Sequence, residues 1–289
     1  RRGLEVDPHR RFSSMTELVG VLQKSLARRR RVGILAGASA VLALAVGGLY
    51  ASAYWARPRC PSAHQLLPAW NHASRQKLLG AFARSPLPFA ATEGPRVVAL
   101  VDGYTLEWKK THAQICAATH LRAEQSQELL DRRMQCLHRH EQGLWATVDL
   151  LYRADDVVLA AAASSVLALT PAAECASAPL SPSDRVVDPR LAARISAVDA
   201  DAAKVRALLA AGQVKQAYEV ATTQLLSQLD FDHAPTRARA LQTIGSAELA
   251  SGRIGAAQTT YEKALEQAEL AGDARLATQI ALAQIKADN

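Results

Sequence analysis

Aromatic residues are scarce in this chain: Phe, Trp and Tyr together make up 5% of it, while the apolar fraction is 49%. The apolar content is therefore mostly Ala, Leu and Val, which argues against a β-sandwich and for helices packed through small side chains. Cysteine is sparse as well. The four present, Cys60, Cys116, Cys136 and Cys175, show none of the C-x-x-C spacing of a zinc ribbon or a thioredoxin-like site. No nucleophile–base pair can be assembled, and Ser164-Ser165 lacks a G-x-S-x-G setting, so hydrolase chemistry has no support. Asp155-Asp156 reads as a charge pair at a helix N-terminus rather than a catalytic dyad, and Trp108 and Trp145 read as core anchors.

What is present in excess is positive charge, +7 overall, but it is local. Residues 1–31 hold nine Lys/Arg against three Asp/Glu, whereas residues 32–289 hold 25 against 24. A nucleic-acid-binding face would spread its charge over a folded surface, so no nucleic acid partner is expected. The basic cluster instead abuts Val32–Trp55, a run of 24 residues without a charge. As a helix it spans about 36 Å, enough for a hydrocarbon core of about 30 Å. Arg28, Arg29, Arg30 and Arg31 precede it, and Tyr50, Tyr54 and Trp55 close it as an interfacial belt would. The pattern predicts a single transmembrane helix with the N-terminus in the cytoplasm and residues 56–289 outside it. Gly33 and Gly37 form one G-x-x-x-G, a weak dimerisation signal, and a homodimer is among the expected partners.

Before the arginines, Asp7-Pro8 signals a turn, and Ser13 or Ser14 can cap a helix through Met15, Leu18, Val19 and Leu22. Its single apolar stripe needs a partner, so a larger upstream domain is expected. The segment Gly3-Leu4, Asp7-Pro8-His9-Arg10-Arg11-Phe12, Met15 and Leu18 resembles the end of a bacterial serine/threonine protein kinase domain. The resemblance covers about 26 residues, and with the basic run and membrane helix it is similar to transmembrane receptor kinases of the myxobacterial type. It implies that Asp7, Pro8 and Arg11 are structural kinase-tail residues, Arg11 pairing with the glutamate that closes the activation segment. No Gly-rich phosphate loop, VAIK-like lysine, HRD-type loop or DFG-type metal ligand is present. No catalytic, cofactor-binding or metal residue is therefore expected in this chain; ATP and Mg²⁺ would belong to the missing kinase domain.

Residues 56–190 read as a helical domain. The apolar periods place helices around Trp70–Phe82, Arg96–Thr119, Ser126–Tyr152 and Asp155–Leu169, with a linker marked by Pro171, Pro179, Pro182 and Pro189. Myxobacterial receptor kinases carry a similar stretch, matched here by Cys60, Asp102, Tyr104, Trp108, Cys116, Thr119, Gln125, Ser126, Leu130, Arg133, Met134, Cys136 and Leu137. The resemblance implies a shared extracytoplasmic module without a known activity. The four cysteines suit structural disulfides in an oxidising compartment, with Cys116–Cys136 and Cys60–Cys175 the favoured pairs. The first requires the interhelical turn to centre near Ser126. Two alternatives stay open: free buried thiols, and zinc on the faces formed by His112, Cys116 and His120 or by Cys136 and His140.

Residues 191–289 repeat. The stretch around Gly212 and Ala217 returns around Gly252 and Ala257, both at an offset of 40, and a third unit starts after Gly272-Asp273. Helix, Gly turn, helix at such a period predicts a solenoid. Ala217, Tyr218, Ala257, Tyr261, Ala264 and Leu265 resemble the second-helix pattern of tetratricopeptide repeats, which makes Gly212, Ala217, Gly252, Ala257, Tyr261 and Ala264 repeat-packing positions. The expected fold is all-α, divided into a kinase-domain end (residues 1–27), a basic cluster and membrane helix (28–55), an extracytoplasmic helical domain (56–190) and repeats (191–289). The expected role is membrane anchoring and extracytoplasmic sensing, in a bacterial inner membrane, with a protein or peptide ligand on the repeats. The competing reading is a non-catalytic, membrane-anchored tetratricopeptide scaffold for envelope assembly, distinguished by what lies upstream of Arg1.

Overall fold

A computed structural model describes residues 14–16, 19–20, 22–24, 42–50, 52, 60–61, 67, 69–177 and 188–288. These fall into two compact units, Arg1–Arg59 and Cys60–Asn289. Among the described residues there is no strand, and the all-α expectation holds. In the first unit, residues 42–50 are helical, with Leu44, Leu49 and Tyr50 at least 70% exposed. No helix among the described residues is long and apolar enough to cross a membrane. Most of Val32–Trp55, and the kinase-tail residues Asp7, Pro8 and Arg11, lie outside the described residues.

The second unit begins with helix α1 (His72–Ala83), opened by Asn71, whose side chain accepts from the amides of Ala73 and Ser74 while Ser74 caps back. Helix α2 (Ala90–His120) starts before the predicted Arg96 and carries Pro95 in its second turn, where the missing amide forgoes one intrahelical hydrogen bond. Helix α3 (Gln127–Tyr152) begins where predicted: Ser126 is its N-cap and accepts from the Leu129 amide. The predicted helix over Asp155–Leu169 is two pieces, α4 (Asp156–Ala160) and α5 (Ala162–Leu167), broken at Ala161. Asp155 caps α4 by accepting from the Val158 amide, and Asp156 accepts from the Ser85 hydroxyl, in keeping with a helix-start role. The short α6 (Glu174–Ser177) follows. These helices share one core, in which Trp108 is buried and donates its indole N–H to the Leu137 carbonyl at 2.9 Å, joining α2 to α3.

Helix α7 (Pro189–Ala210) opens on Pro189 with Asp188 as its cap, so Pro189, read from sequence as part of a linker, is instead a helix start. Helix α8 (Val214–Val220) continues through a π turn (Ala221–Leu225) and a 3₁₀ turn (Leu226–Gln228); α9 (Ala234–Ala250), α10 (Ile254–Leu270) and α11 (Ala274–Asp288) complete the unit. Gly212 and Gly252 close α7 and α9 with φ of 73° and 78°. In both turns the glycine amide and the next amide reach back to carbonyls of the last turn, Leu209 and Leu208 in one, Leu249 and Glu248 in the other. The 40-residue offset is thus a repeated helix stop. Alanine supplies half of the core residues of this half, with Tyr261 as its large anchor. The halves pack through α3 against α7: Gln142 of α3 donates to the Ser196 carbonyl at 3.0 Å.

Candidate functional site

All four cysteines are bridged, but not in the favoured pairs: Cys60 joins Cys116 and Cys136 joins Cys175, each with Cα atoms 5.7 Å apart. The reason is the register of the α2–α3 turn. It runs between His120 and Gln127, short of a centre at Ser126, and leaves Cys116 and Cys136 staggered by roughly 7 Å along antiparallel helices. Each cysteine therefore bonds to a segment that crosses its helix instead. His140 lies beside the second bridge, and the possible ligand atoms of Cys136, His140 and Cys175 lie within 4.8 Å of one another. Both sulfurs are spent in the disulfide, so no thiolate is offered while it holds. The other zinc face fares no better, since Cys116 is bridged and the His112 ring stacks on Trp108, with centroids 5.3 Å apart.

Of the predicted repeat-packing residues, Gly212 and Gly252 lie in helix-ending turns, where an added Cβ would meet nothing within 4 Å, and the other four are buried. Ala217, Ala257 and Ala264 are fully buried and Tyr261 is 1% exposed. Tyr261 hydrogen-bonds with the Ser246 hydroxyl at 3.2 Å, and its ring fills the place of a side chain at Gly245: a Cβ there would stand 2.8 Å from it. Burial pushes the Tyr261 pKa up.

The inner face of the helical stack is not an open groove. Helix α3 lies along α7, and what remains between α3, α5 and α6 on one side and α7, α9 and α11 on the other is a cleft of about 330 Å³. From α3 it receives Arg139 and His140; from the stack, Arg206 of α7, Arg239 of α9 and Arg275 of α11. Burial is the main cause that lowers the His140 pKa, which keeps the ring neutral near pH 7, and its Nδ1 stands 3.0 Å from the Thr170 carbonyl. The Tyr104 hydroxyl donates to that same carbonyl at 3.1 Å, and burial raises its pKa far above the usual value. Glu174 pairs with Arg275 across the mouth of the cleft. The Cys136–Cys175 bridge holds this glutamate in place, since it fixes the neighbouring residue to α3. Asp199, 10% exposed in its side chain, stands 3.8 Å from Arg239. Sequence reasoning missed this cleft. Its residues come from seven helices and the loops between them, and Arg206 and Arg239 stand at different distances from their turn glycines, so no spacing marks them.

The fold and site define an all-α protein with a disulfide-braced helical module joined to a stack of helical hairpins around a basic cleft. Set against known proteins, the chain matches no family model, no curated protein and no solved structure.

Proposed function

We propose that this chain is the membrane-anchoring and extracytoplasmic, protein-binding portion of a serine/threonine protein kinase whose catalytic domain belongs to the parent chain. The observation that carries the reading is the placement of the disulfides. All four cysteines follow the uncharged run and all four are bridged, which suits an oxidising compartment on the far side of a membrane from Arg28–Arg31. The exposed apolar side chains of residues 42–50 support it, because a helix that leaves Leu44 and Leu49 uncovered needs lipid or another helix against it. The D-P-x-x-R stub supports the kinase assignment, and the hairpin stack provides the surface for a partner. On this reading, ligand occupancy outside biases dimerisation or orientation across the membrane and so the phosphorylation inside.

Topology is the direct test. In spheroplasts, whose outer membrane has been opened, a membrane-impermeant protease is expected to remove the region after residue 56 and leave an N-terminal tag protected. Protection of both ends, or cleavage at the N-terminal side, would overturn the anchoring.

A further inference from the structure

The cleft holds more guanidinium than its carboxylates neutralise. Its three acids are all engaged: Glu174 with Arg275, Asp199 beside Arg239, and Asp273 as the cap of α11, where it accepts from the Leu276 amide at 2.9 Å. Arg206 draws support from the field of Asp199, which already stands beside Arg239. Its hydrogen bond goes to a neutral group, the Thr243 hydroxyl at 3.2 Å, and among the described residues no carboxylate forms an ion pair with it. It is solvent-exposed and lines the cleft, and burial among the surrounding protein, with a smaller effect from nearby Arg239, disfavours its charge. A cation held in these surroundings attracts an anion more strongly than one on an open surface, where water and salt screen it. The planar guanidinium suits an oxyanion, which can accept two parallel N–H bonds. A volume of about 330 Å³ admits a small molecule or a single charged side group and excludes a folded partner.

We propose that this cleft binds a small oxyanion, a carboxylate or phosphate group, with Arg206 as its principal contact and Arg139 and Arg239 supplying the surrounding positive field. The proposal rests on the sensor reading for its biological meaning only; binding itself is a property of this chain, whatever lies upstream.

The test is calorimetric titration of the full 289-residue chain in detergent with sodium succinate and with sodium phosphate, at constant ionic strength. Saturable 1:1 binding of at least one is expected, the stronger of the two identifying carboxylate or phosphate as the natural group. Arg206→Gln should weaken it at least tenfold, and Arg253→Gln, at a residue that lies over the Tyr218 ring and does not line the cleft, should leave it unchanged. No saturable binding of either anion, or wild-type affinity in R206Q, overturns the proposal. Should R206Q fail to fold, phenylglyoxal modification of the wild type is decisive. Protection of Arg206 by the bound anion supports the site, and equal modification with and without it refutes it. Anion binding with wrong membrane topology would sink the sensor reading and leave the site standing; correct topology without anion binding would do the reverse.

Discussion

The two halves of the second unit solve the same problem with different means. The helical module, residues 72–177, packs helices of very unequal length, from the 31 residues of α2 to the four of α6. Its core uses large side chains such as Trp70, Phe82 and Trp108, and two disulfides tie its loose ends. The stack from α7 to α11 has no cysteine. Its helices approach through alanines, and α7, α9 and α10 stop on glycines. Regular repetition lets small residues meet in register along the stack, whereas an irregular set of helices needs covalent ties to fix segments too short to hold themselves.

The sharpest way to break that contrast is reduction. Chain-entropy reasoning gives each bridge, with separations of 56 and 39 residues, about 4 kcal/mol of stabilisation. Reduced protein should therefore lose amide protection in α2, α3 and α6 first, with α9 and α10 still protected; simultaneous loss in both halves would show that the stack depends on the bridges too. A smaller effect is expected within the stack. Gly245→Ala puts a methyl group against the Tyr261 ring and should cost about 1–3 kcal/mol in urea unfolding, while the same change at Gly103, where a Cβ meets nothing, should not destabilise.

The smallest effect expected is on pH dependence, and it belongs to the module. His112 and His140 have pKa values lowered, chiefly by burial. Their contribution is complete above the unfolded value of about 6.5 and declines as pH falls below it, because the folded state resists protonation. His138 runs the other way. Its hydrogen bond with Glu141 raises its pKa, so its contribution is present below about 6.5 and is lost as pH rises through the raised folded value. Stability should fall from pH 7.5 to 5.5, and His138→Gln should make that fall steeper by removing the opposing gain. Equal slopes in wild type and variant would contradict the assignment.

Much of the fold was legible because the relevant signals are local. Ser126 announces α3 three residues before the amide it caps, and Gly212 and Gly252 mark two helix ends that share one hydrogen-bond pattern. The break at Ala161 was not legible: it falls within a run of alanines, the best helix formers, and only the surrounding packing interrupts them. The disulfide pairing failed for a similar reason. It depended on a turn register that differs by a few residues from the one assumed, and each residue shifts a sulfur by about 1.5 Å. The basic cleft was least legible, since Arg139, Arg206, Arg239 and Arg275 come from four separate helices and meet only after those have packed.

The first bridge has a mechanical consequence. Cys60 is the opening residue of the second unit and is fastened to Cys116, close to the end of the 31-residue helix α2. Tension applied to the backbone at residue 59 cannot peel the following residues away one by one; the covalent tie delivers it at once to α2. That helix, roughly 45 Å long, is buried on one face from Ala90 to Ala118 and packs against α1 and α3, so the load spreads over the module core. Cutting the tie by Cys60→Ser would remove that direct path from residue 60 to α2.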